Sequence, residues 1–73
     1  LYQNKTNMEP FVITLSDKAS KSFLKELKAN SISFQFQVKT SFYFLESTPK
    51  LRMAIKMITE RFGKQSFTIK PVQ

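Results

Sequence analysis

The sequence predicts one small α+β domain in the order strand, helix, strand, strand, helix, strand, and three observations carry that prediction. Two segments repeat apolar residues at helical spacing, while the segments around them repeat apolar residues at every second position. Each helical segment opens on a capping hydroxyl, Ser16 before the first and Thr48 followed by Pro49 before the second. The chain is 73 residues long, which is one domain with one core.

Residues 1–10 are polar, end at Pro10 and have no sustained period, so they are expected to form a flexible N-terminal arm ahead of a domain spanning 11–73. Phe11-Val12-Ile13-Thr14-Leu15 alternates and is rich in β-branched residues. It reads as the first strand, with Phe11, Ile13 and Leu15 toward the core. Asp17 follows the Ser16 cap, where a negative charge suits the helix dipole. From Asp17 to Ala29, Ala19, Phe23, Leu24 and Leu27 share one helix side, and Asn30 is expected to close the helix in the left-handed conformation.

Ile32, Phe34, Phe36 and Val38 alternate with Ser33, Gln35, Gln37 and Lys39, and Phe42-Tyr43-Phe44-Leu45 then breaks the alternation. Two strands joined near Lys39-Thr40-Ser41 explain this stretch better than one long strand. If the connection takes three residues, Phe42 and Phe44 share the core side with Phe34 and Phe36. If it takes two, parity flips and Phe42 and Phe44 reach the open face of the sheet. Core packing is the favoured alternative for both. The open face is then expected to carry Val12, Thr14, Ser33, Gln35, Gln37, Lys39, Thr68 and Lys70.

After Pro49, the residues Leu51, Ala54, Ile55, Ile58 and Phe62 form an apolar stripe that ends at Gly63, the only glycine and a natural helix stop. Met53 and Met57 flank that stripe and are expected to fill the seam between the helices. Phe67-Thr68-Ile69-Lys70 is the last strand, limited by Pro71. The resulting order is the ferredoxin-like βαββαβ arrangement, a four-stranded antiparallel sheet with two helices on one face.

With no Cys and no His, disulfides, thiolate metal ligands and the usual nucleophile and base pairs are excluded. The five acids, Glu9, Asp17, Glu26, Glu46 and Glu60, fall singly on different elements, and there is no glycine-rich phosphate loop. A non-enzymatic protein without metal or cofactor is expected. No apolar run reaches the length of a membrane span, and 1–10 does not resemble a secretory signal, so a cytoplasmic setting is the expectation. Leu1 in place of an initiator Met leaves open that the chain is a fragment of a longer protein.

Twelve Lys and Arg against five Asp and Glu give a net charge of +7, which favours acidic partners. Lys18, Lys21, Lys25 and Lys28 fall within an arc of roughly 80° on the first helix, opposite its apolar side. Such a stripe can follow phosphates, though any helix lying on a sheet also needs a solvated outer face. Phe42-Tyr43-Phe44-Leu45-Glu46 resembles the RNP1 strand of RNA recognition motifs, in which two aromatics separated by one residue stack bases. It departs from that motif at Tyr43, which stands where the motif has a small residue, and at Thr40-Ser41, which replaces Lys-Gly. Val12 also occupies the place of the first-strand aromatic. The resemblance covers one strand and the topology.

Two functions follow from these features. The leading one is a nucleic-acid-binding module, for RNA or DNA, with weak sequence specificity. Its expected contacts are Lys18, Lys21, Lys25, Lys28, Lys39 and Lys70, with Phe42 and Phe44 should they face outward. The alternative is a protein-interaction or regulatory module that meets an acidic protein surface, or forms a homodimer, through its sheet face or edge strand.

Overall fold

A computed structural model describes residues 10–72, and the remainder of the expected arm, 1–9, lies outside the described residues. The elements are β1 (Phe11–Leu15), α1 (Asp17–Ala29), β2 (Phe36–Val38), β3 (Ser41–Phe44), α2 (Pro49–Phe62) and β4 (Phe67–Pro71). A 3-10 turn, Lys64–Ser66, leads into the last strand. The sheet order is β2-β3-β1-β4 with every neighbour antiparallel, which is the ferredoxin-like arrangement. Pro10, assigned by sequence to the arm, is tied into the sheet instead, because its carbonyl accepts from the Val72 N–H at 3.0 Å.

Local chemistry starts and stops the helices. Ser16 Oγ accepts from the Ala19 N–H at the start of α1, and Thr48 Oγ1 accepts from the Leu51 N–H at the start of α2, with Pro49 in the first turn. At the end of α1 the left-handed residue is Ser31 (φ 54°), whereas Asn30 has φ −106°. This corrects the expectation for Asn30 by one residue. The Ile32 N–H reaches back to the Leu27 carbonyl and the Ser31 N–H to that of Lys28, which is a Schellman closure. Ile32 and Leu27 are both buried in the core, so the closure also has its usual hydrophobic contact. Asn30 is occupied otherwise, its Nδ2 donating to the carbonyl and to Oε1 of Glu26.

The core joins Ile13 and Leu15 of β1, Phe42 and Phe44 of β3, Ala19, Phe23 and Leu27 of α1, and Leu51, Ala54 and Ile58 of α2. Both helices therefore lie against one side of the sheet. Phe23 meets Phe42 edge to face at 5.2 Å, Phe34 meets Phe42 in the same manner at 5.4 Å, and Phe11 stacks on Phe44 at 5.4 Å. Aromatic area on this scale supplies much of what a short chain without disulfides has to stabilise it.

The hairpin resolves differently from either alternative read in the sequence. Val38 is in register with Ser41, so the connection takes two residues, Lys39 and Thr40, with Lys39 in the left-handed region at φ 56°. The short turn does flip parity, yet Phe42 and Phe44 stay inside at 0% and 2% exposure. The strand that turns over is β2. The Gln35 N–H donates to the Tyr43 carbonyl at 2.7 Å, while Phe36 is in register with that same Tyr43. Two successive residues thus oppose one, the pattern of a β-bulge. Phe34, before the bulge, packs against the core; Phe36, after it, is on the open face. Regular strand pairing in β2 is accordingly confined to Phe36–Val38, shorter than the run of alternation from Ile32.

Candidate nucleic-acid interface

Lys18, Lys21, Lys25 and Lys28 are all exposed along the outer side of α1. Their spacings of three and four residues bring like charges together on the helix surface, an arrangement that destabilises a helix by about 0.2–0.5 kcal/mol per pair. A helix face serving only for solvation can interleave Glu with Lys and avoid that cost. Of the two acids on α1, Asp17 lies at its start, four residues before Lys21, and Glu26 has its Oε1 bonded to the Asn30 amide. On α2, Lys50 and Lys56 are also exposed, and Lys50 Nζ donates to the Asn30 carbonyl at 3.3 Å, where a cation complements the C-terminal end of α1. Met57 is half-buried against the core as expected for the seam, whereas Met53 is exposed at its rim.

The opposite side of the molecule carries a second surface. Register across the sheet puts Phe36, Tyr43, Val12 and Lys70 in one row, with Val38, Ser41, Thr14 and Thr68 in the next. Phe36 and Tyr43 stack with ring centroids 4.4 Å apart and planes 22° from parallel. Phe36 is 53% exposed and Val38 51%. In the second row, the Thr14 and Ser41 hydroxyls share a hydrogen bond at 2.8 Å.

The structure therefore separates the expected contacts. The α1 lysines belong to the helix layer, Lys70 to the open sheet face, and Lys39 to the tip of the hairpin. Phe42 and Phe44 belong to neither surface, because both are core, and base stacking on them is ruled out by burial. Gln37 is likewise paired with Phe42 and sits on the helix side of the sheet, not on the open face. Sequence reasoning missed Phe36 and Val38 as exposed residues and half-buried Tyr43 as their neighbour on the open face. The signal available was positional: β3 lies between two strands and must turn its bulkier row to the core, whereas β2, at the edge, is free to turn over.

Among the described residues, no group of three or more His, Cys, Asp or Glu is placed to hold a metal ion, and no helix is long and apolar enough to cross a membrane. Fold and surface together define a small ferredoxin-like α+β domain with a basic helix layer and an aromatic open sheet. Compared with protein-family models, with curated proteins and with solved structures, the chain has no match.

Proposed function

We propose that this domain is a small, non-catalytic nucleic-acid-binding module of weak sequence specificity, with a cytoplasmic setting as part of the same reading. The observation that carries it is the run of exposed Lys18, Lys21, Lys25 and Lys28, like charges held at helical contact distance within a chain of net charge +7. Flexible ammonium groups along one helix side meet phosphates as point charges and read no base edges, which accounts for the low specificity.

Titration with short single-stranded and duplex oligonucleotides at two salt concentrations tests the proposal. Micromolar binding that weakens steeply as salt rises supports it. No binding at low salt refutes it. A specific observation favours the alternative of docking or dimerisation through the sheet: Phe36 and Val38 are exposed on an edge strand. A mass that rises with protein concentration, without oligonucleotide binding, would establish that alternative.

A further inference from the structure

We infer that the open sheet face is a stacking site for the bases of single-stranded nucleic acid, with Phe36 and Tyr43 as the platform and Lys70 as a phosphate contact. This deepens the nucleic-acid reading and rests on it, but it involves the face opposite the α1 lysines. Tyr43 covers one side of the Phe36 ring, at 4.4 Å between centroids. Among the described residues no strand lies beyond the other side of Phe36, because β2 is the sheet edge, and the residue stays 53% exposed. An unpaired base can extend that stack. A base inside a duplex cannot, since its own neighbours already cover both of its faces.

The rest of the row suits the same ligand. Lys70 stands three strand spacings from Phe36, about 14 Å at ~4.8 Å per strand, a distance that a short stretch of flexible single strand can bridge. Between them, Val12 and Tyr43 give a half-buried floor, and Thr14 and Ser41 offer hydroxyls in the next row. The charged side chain contributed to this face by the paired strands is a cation, Lys70, with Lys39 at the hairpin tip. A second copy of the chain would bring another cationic face and another +7 charge against it. Charge complementarity therefore selects a polyanion with free bases.

The full chain is titrated with oligo-dT and oligo-U of roughly twelve nucleotides, and with a duplex of equal length, at low salt. With no Trp and only Tyr2 and Tyr43 as tyrosines, a Tyr2→Phe background makes tyrosine emission report Tyr43 alone. Single strands are expected to quench that emission, and the oligo-dT and oligo-U arms show whether deoxyribose or ribose is preferred. Phe36→Ser is expected to weaken single-strand binding about tenfold or more while leaving duplex affinity within about twofold. Lys70→Gln, at an exposed position, provides a second variant that leaves the core untouched and is expected to weaken single-strand binding severalfold.

Single-strand binding that neither variant weakens, with Tyr43 emission unmoved at saturation, overturns the inference and leaves the lysine-based reading standing. Absence of any binding, single-stranded or duplex, sinks both. A concentration-dependent dimer that Phe36→Ser abolishes would place a second copy on this face and also overturn the inference.

Discussion

The Gln35 N–H donates to the Tyr43 carbonyl one residue before Phe36, which is itself in register with Tyr43, and this doubling decides which aromatic rings meet solvent. Without the extra residue, the alternation of Ile32, Phe34, Phe36 and Val38 would keep all four on one side of the sheet. With it, Ile32 and Phe34 serve the core, and Phe36 and Val38 serve the open face.

Substituting the residues on either side of the bulge should give unequal results. Phe34→Ala removes a ring that packs edge to face on Phe42 and belongs to the core's margin, and should cost about 2–4 kcal/mol. Phe36→Ala trims a half-exposed ring and should cost about 1 kcal/mol or less. Urea unfolding of the two variants measures the difference. A larger loss at Phe36 would mean that the strand sits in the other register.

Phe42 lies in the middle of the aromatic cluster with no exposed surface. Phe42→Ala should cost about 3–5 kcal/mol. Against a total of about 5–15 kcal/mol for a native domain, that loss should leave a substantial unfolded fraction at 37 °C, visible by circular dichroism. Phe42→Leu, which keeps most of the apolar volume, should remain folded.

Gly63 closes α2 at φ 89° and ψ 161°, a backbone region open essentially to glycine alone. A Cβ at this position would also come within 2.8 Å of the Gln65 side-chain amide. Gly63→Ala should therefore destabilise by about 1–3 kcal/mol. In a domain of this size, each kcal/mol lowers Tm by roughly 4–8 °C, which a thermal melt resolves.

Replacing Lys18, Lys21, Lys25 and Lys28 together by Gln should separate stability from binding. Gln has nearly the helix propensity of Lys, and the like-charge contacts vanish, so the variant should be as stable as the parent or more stable by up to about 1 kcal/mol. Its affinity for duplex should fall steeply. If all four lysines contact phosphates, the slope of log K against log salt should flatten by roughly 3–4. An unchanged slope would mean that the stripe is only a solvated face.

The legibility of this protein differs from element to element, for physical reasons. Asp17–Ala29 could be bounded from its residues because Ser16 caps it locally and its apolar side repeats over three turns. Gly63 could be identified as a stop because a single glycine at the end of an apolar stripe has few other uses. Asn30 was expected in the left-handed position and Ser31 takes it, because the bonds from Ile32 and Ser31 back to Leu27 and Lys28 fix where the helix closes and a linear pattern does not display them. Of the candidate contacts, the α1 lysines were readable from helical period alone. Phe36 and Tyr43 were not, since their exposure depends on pairing between strands.

Order of elements, helix bounds, apolar stripes and net charge all come from interactions among neighbours along the chain, and a linear pattern records those directly. Exposure of the hairpin aromatics is different. It follows from β3 being sandwiched between β1 and β2, so that Phe42 and Phe44 must fill the space under Phe23, and from β2 lying at the edge, where one extra residue at Gln35 turns it over without breaking any other pairing. That competition is settled between segments distant in sequence, which is why it took the folded sheet to decide it.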